Sequence, residues 1–220
     1  MHSFDWLTWQ LADSAFPTGG FAHSWGLEAA WQMGEIPDAA ALRRFVYDVL
    51  QQSGRAALPW LTAAHRDPSR LVELDSLADV FLTNAVANRA SRVQGTALAS
   101  TCARVWPVPA MTTLETQARA CFGHYAPVAG GALRALDVPL AVAQRLLLYN
   151  GARGVLAAAV RLGIVGSYEA QRLQHGFAPV MDAIVEKCGS LDDRNVAQTA
   201  PIIDLLQATH DRLYSRLFQS

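Results

Sequence analysis

Residues 17–28 read Pro17-Thr18-Gly19-Gly20-Phe21-Ala22-His23-Ser24-Trp25-Gly26-Leu27-Glu28. A serine beside a histidine, with glycine two residues on, has the outline of the nucleophile elbow of sheet-based hydrolases. That elbow needs a β-strand to deliver the serine onto a strained strand-to-helix turn. Here Pro17 and the Gly19-Gly20 pair end any strand. The chain also has no period-two run rich in β-branched residues and no Asn-Gly or Asp-Gly hairpin signal. The stretch therefore reads as a turn into a helix, with Ser24 capping or packing. Nor is it a Walker A loop, which ends in Gly-Lys-Ser/Thr. The single lysine, Lys187, follows Val185-Glu186 with no glycine before it. Gly19-Gly20 has room to form a small anion nest, but two adjacent glycines more often simply permit a turn with positive φ.

Working outward, the periodicity is helical almost everywhere. Between Asp38 and Gly54 the apolar residues Leu42, Phe45, Val46, Val49 and Leu50 fall at i, i+3, i+4, i+7 and i+8. Asp38 is the expected N-cap and Gly54 the expected stop. His23 to Met33 reads as a helix ended by Gly34. Ser69 opens a long stretch, with room for an interruption, towards Val105, stopped by Pro107 and Pro109. Thr112-Thr113-Leu114-Glu115 has capping-box spacing. Pro139 starts the longest clean helix, ending at Gly163. Ser167 begins another, which Pro179 should kink or split. Thr199 is expected to cap a last helix, with Pro201 in its first turn, reaching towards Leu217. The expectation is one all-α domain over residues 1–220, a bundle of eight to ten helices.

Composition narrows the function. Of 220 residues, 51% are apolar and only 17% charged, against about 25% in an average domain. Such a surface is short of charge and tends to be covered by another polypeptide. A net charge of −1 gives no basic field for nucleic acid. No uncharged apolar run reaches about 18 residues, so no membrane span is expected. The N-terminal MHSFDWLTWQLADS has acids and no basic region, unlike a signal peptide. Cys102, Cys121 and Cys188 form no CxxC pair, so neither a disulfide framework nor a zinc ribbon is suggested, and a reducing cytoplasm fits.

His2, His23, His65, His124, His175 and His210 form no HxxxH, HExxH or Glu-x-x-His pair, so no metal site and no cofactor are read from the chain. Gly151 and Gly154 lie inside the longest helix, where each costs about 1 kcal/mol relative to alanine, which suggests close approach of another helix or of a partner. Arg145 and Tyr149, at i and i+4, share a face. They either cover ordinary core or form a contact surface. The last residues, His210-Asp211-Arg212-Leu213-Tyr214-Ser215-Arg216-Leu217-Phe218-Gln219-Ser220, place aromatics and arginines where a chain normally frays. Partial disorder of both ends is expected in the free protein.

Taken together, the two ends resemble the UreF family of urease accessory proteins. The first match is Trp9-Gln10-Leu11-Ala12-Asp13-Ser14 running into residues 16–28. The family shows a helix, then Pro-x-Gly-Gly/Ala-Phe/Tyr, then a Ser-x-Gly-Leu-Glu helix start. The second match is His210 to Ser220, like the family's His-x-x-Leu-Tyr/Phe-Ser-Arg-Leu-Phe-x-Ser. Leu82-Thr83-Asn84 through Gln94-Gly95, and Arg145 through Ala159-Val160-Arg161-Leu162, are also similar. The Thr-Gly-Gly-Phe-Ala-His-Ser form is closer to plant-type members than to the Val-Gly-Ala-Phe form common in bacteria. Ala158 stands where serine is frequent, and Gln219 where arginine is.

The resemblance implies a non-catalytic all-α homodimer. It would bind the accessory protein UreD (also called UreH), recruit the GTPase UreG and deliver nickel to apo-urease. It assigns Pro17, Gly19, Gly20, Phe21, His23, Ser24, Gly26, Glu28, His210, Tyr214, Arg216 and Phe218 to partner binding. Arg145 and Tyr149 match a pair on the family's self-association helix. The alternatives are a homodimeric interaction protein of another GTPase or chaperone system, or a hydrolase or metal enzyme using Ser24 or scattered histidines.

Overall fold

Apolar side chains three and four residues apart need a neighbouring helix to cover them, and the chain meets that need with helices alone. The computed structural model describes residues 3–220, and no strand occurs among them. His2 lies outside the described residues. The α-helices are α1 (Ser3–Ala12), α2 (Leu27–Gln32), α3 (Ala39–Ala56), α4 (Leu58–Arg66), α5 (Leu71–Phe81) and α6 (Ala85–Val105). They continue with α7 (Pro109–Ala120), α8 (Tyr125–Ala135), α9 (Leu140–Arg161), α10 (Ser167–Gly176), α11 (Ala178–Cys188) and α12 (Pro201–Ala208). All but the short α2 and α12 span nine residues or more. Among the described residues no helix is long and apolar enough to cross a membrane.

The 22-residue α9 is the axis. On one side it packs against α3, α10 and α11, and α1 lies along it; on the other, α4 joins it to a group in which α8 is wrapped by α4, α5, α6 and α7. Two of these approaches require glycine. A Cβ on Gly130 would stand 2.3 Å from the Leu61 carbonyl oxygen of α4, and one on Gly95 would stand 2.1 Å from the Gly123 carbonyl oxygen at the entrance to α8.

Several boundaries fall where local chemistry puts them. The Asp38 carboxylate accepts from the Ala41 amide at 2.7 Å, Gly34 and Gly163 adopt positive φ after α2 and α9, and Pro179 begins α11 where α10 ends. The long stretch from Ser69 is interrupted at residues 82–84, where the Asn84 side chain caps α6 by accepting from the amides of Val86 and Ala87.

Other boundaries move. The helix expected from His23 starts at Leu27, because Trp25 and Gly26 both have positive φ. Gly54 does not stop α3; its missing Cβ admits Ile184 of α11, whose Cγ2 would lie 2.5 Å away. Thr112 caps nothing, since α7 begins at Pro109. Thr199 is not the cap of α12: Ala200 precedes that helix, and the Gln52 side chain accepts from the amides of both. α12 ends at Ala208, nine residues short of Leu217. Gly154 faces Trp25, with Nε1 3.4 Å from an added Cβ, whereas Gly151 has open space before it.

Candidate partner-binding site

After α12 the chain makes one 3-10 turn at His210–Arg212 and then continues without regular secondary structure, so its amides need partners outside themselves. They find them on the turn that precedes α2. The Gln219 amide donates to the Ala22 carbonyl at 2.8 Å, and the Ser24 amide and hydroxyl both donate to the Ser220 carbonyl. Glu28, on the first turn of α2, is 2% exposed. Its two carboxylate oxygens accept from the amides of Leu217, at 2.6 Å, and Phe218, at 3.1 Å. The carboxylate thus does for the tail what a neighbouring strand would do, with the added strength of a charged acceptor.

Two histidines complete the clasp. His210 is fully buried, with Nε2 3.2 Å from the Phe218 carbonyl and Nδ1 3.9 Å from Glu28 Oε2. His23 Nδ1 is hydrogen-bonded to the Ser220 hydroxyl. Phe218 is buried beneath the Arg161 guanidinium, 4.3 Å from the ring centroid, and Arg161 also donates to the Phe21 carbonyl. Gly26 lies under α12, where a Cβ would come within 3.0 Å of the Gln207 nitrogen. The C-terminal segment expected to fray is therefore packed, because Glu28, Ser24 and Ala22 supply the hydrogen bonds that a free tail takes from water.

The structure sorts the sequence-predicted residues into two groups. His23, Ser24, Gly26, Glu28, His210 and Phe218 are buried and bind the chain to itself. Pro17, Phe21, Tyr214 and Arg216 are exposed, and Gly19 and Gly20 are half-buried in the turn. Phe21 is 72% exposed and the Tyr214 ring stands wholly in solvent. Gln219 pairs with Ala22, and the Gln32 side chain donates to the Ser215 carbonyl at 2.9 Å, so the tail is joined to the turn and to α2. Trp6 and Trp9 of α1 are exposed as well, in an edge-to-face pair. Arg145 reaches Asp182 of α11 at 3.1 Å on an exposed face of α9, with Tyr149 one turn on and part exposed.

Burial pulls the His23 pKa down from 6.5 to about 4, aided by the charges of His210 and Arg89. The unfolded chain takes up a proton at this residue below pH 6.5, whereas the folded chain holds it neutral to about pH 4. The stability it contributes is complete above pH 6.5 and is lost as the pH falls towards 4. Thermal unfolding followed across that window should show a falling melting temperature, and His23→Gln should flatten the slope. An equal slope in both proteins would remove His23 from this account.

Sequence reasoning missed a second polar cluster. Asp75 of α5, 1% exposed, accepts from the amides of Phe122, Gly123 and His124 at 2.8, 3.0 and 2.6 Å. His124 in turn lies 3.1 Å from both the Ser91 hydroxyl and Asp79 Oδ1. Serine, histidine and aspartate here follow the order of a catalytic triad. Yet the Ser91 oxygen already accepts from the Tyr125 amide, and Asp79 is also bound by Asn88. The three amides that would stabilise an oxyanion are all taken by Asp75. The cluster fastens α5 and α6 to the start of α8. Ser24, the other serine beside a histidine, is fully buried, and its hydroxyl is committed to Ser220. No cluster of three or more potential metal ligands occurs among the described residues.

The UreF family model matches residues 36–178, a span that stops short of both halves of the clasp. Curated relatives extend over the rest. Urease accessory protein F of Arabidopsis thaliana is 37% identical over 222 residues, covering 98% of this chain and 92% of that protein. Urease accessory protein F of Oryza sativa subsp. japonica is 36% identical over 221 residues, covering 97% and 84%. Urease accessory protein UreF of Ruegeria pomeroyi is 29% identical over 216 residues, covering 96% and 94%. The higher identity to the plant proteins agrees with the plant-type form of residues 18–24. A family match over most of the chain, relatives aligned across both halves of the clasp, and an all-helical fold agree: the chain belongs to the UreF family of urease accessory proteins.

Proposed function

We propose that the protein is a non-catalytic urease accessory protein that acts as a homodimer. With UreD/UreH it recruits the GTPase UreG and regulates it during nickel insertion into apo-urease. The observation that carries this reading is the clasp: a tail pinned to the 17–28 turn and to Glu28, with Phe21 of the turn and Tyr214 of the tail both exposed. Exposed aromatics on an ordered support lose little freedom on binding, which is how they become dominant contacts at interfaces. The dimer would use the exposed Arg145 and Tyr149 face of α9. Regulation of the GTPase then requires that the assembly bind one nucleotide state more tightly than the other.

Deleting the residues from Thr209 onward should abolish capture of UreD/UreH, but it also removes buried Phe218 and so disturbs the fold. Tyr214→Ala separates the two effects, because its ring stands free of the rest of the chain. Its melting temperature should equal that of the wild type, while capture of UreD/UreH weakens by about tenfold or more. Unchanged capture would remove the tail surface from the docking site. Serine-dependent esterase turnover, lost in Ser24→Ala, would overturn the non-catalytic reading.

A further inference from the structure

Along α6, between the ends of α5 and α7, runs an open groove whose charges differ from those of the chain as a whole. It is lined by Arg89, Arg92 and Arg119 against a single carboxylate, Asp79, in a protein of net charge −1. Asp79 is already engaged by Asn88 and His124. The arginines differ in what holds them. Arg89 donates both its bonds, at 2.9 and 3.0 Å, to the carboxylate of Asp211 in the tail. Arg119 is bound to Glu115 one turn back on its own helix and remains largely exposed. Arg92 has no carboxylate within ion-pair distance among the described residues; its guanidinium rests over the Phe122 ring, 5.3 Å from the centroid.

The chain thus shows on itself what this row accepts: a carboxylate carried on a polypeptide, presented to the first arginine. The rest of the row continues for about 16 Å, from Arg89 to Ser100 at 1.5 Å per residue. Single-stranded nucleic acid needs open aromatic faces for its bases, and the face of Phe122 is taken by Arg92.

We propose that this groove docks an acidic peptide segment of a partner protein, its carboxylates pairing with Arg92 and Arg119 as Asp211 pairs with Arg89. The proposal rests on the accessory-protein reading, and it adds a second contact surface next to the tail. Charge pairs of this kind set orientation and association rate as well as affinity.

The test uses the full chain and a fluorescein-labelled peptide of alternating glutamate and alanine, followed by fluorescence anisotropy. Arg92→Glu with Arg119→Glu should weaken binding about tenfold or more at low salt, with the melting temperature lowered by only a few degrees, since what is lost is an exposed pair with Glu115 and a surface contact with Phe122. The control Arg43→Glu, on exposed α3 surface, should bind as the wild type does. No loss in the double variant, an equal loss in the control, or tighter binding of a single-stranded oligonucleotide than of the peptide would overturn the proposal. Capture of UreD/UreH and UreG by the same proteins separates it from the reading beneath it. Equal capture by wild type and double variant defeats the groove alone. Capture of neither partner by the wild type defeats the accessory role, while groove-dependent peptide binding stands.

Discussion

Glu28→Ala is expected to release the last residues of the chain and to destabilise the fold by about 3 kcal/mol or more. The carboxylate is nearly inaccessible and accepts the amides of Leu217 and Phe218. Hydrogen bonds to a charged acceptor contribute about 1.5–3 kcal/mol each. Its removal leaves the buried Phe218 amide and the part-buried Leu217 amide without their acceptor and takes from His210 Nδ1 its nearest carboxylate. Phe218 is then held beneath Arg161 only by the bond between its carbonyl and His210 and by the contacts of Gln219 and Ser220 with the 17–28 turn. The loss is read as a lowered urea midpoint and as fast tryptic cleavage after Arg212 and Arg216. Glu28→Gln keeps an acceptor oxygen and should lose about half as much. Wild-type resistance to trypsin in Glu28→Ala would show that the tail is held by other means.

Gly95→Ala should be worse still, with a cost of about 4 kcal/mol or failure to accumulate folded protein. The added methyl would lie 2.1 Å from the Gly123 carbonyl oxygen and 2.7 Å from both the His124 carbonyl carbon and the Tyr125 nitrogen. That backbone cannot yield, because Asp75 holds the amides of residues 122–124 in place. The sign of the effect is decisive: in an exposed helix the same change stabilises by about 1 kcal/mol. A urea midpoint equal to or above that of the wild type would mean that α6 and the entrance to α8 are not in contact at this point.

These two positions also show what a sequence displays and what it hides. Asp38, Pro139, Gly163 and Pro179 act on backbone within a few residues, so their helix boundaries could be read directly. Gly54 looks like a stop because glycine is the usual one, but its role is set by Ile184, far along the chain. Helices α4 and α8 carry no polar stripe for periodicity to detect. Leu58 to His65 and Ala126 to Leu133 are buried without a break, and an all-round buried helix has no amphipathic signature. The site was legible as two motifs but not as one object. Nothing local in either stretch announces that a carboxylate at position 28 will bind amides at 217 and 218. The Asp75 cap had no signal either, since an aspartate inside a helical stretch looks like ordinary surface charge.

Native-state hydrogen exchange of the Leu217, Phe218 and Gln219 amides in the free protein tests the clasp most directly. These amides are bonded to Glu28 and Ala22, so they should exchange orders of magnitude more slowly than in an unstructured peptide. Their protection should fall as the pH is lowered from 6.5 towards 4. Exchange at unstructured rates near neutral pH would contradict the account, because the tail would then not be pinned to the 17–28 turn.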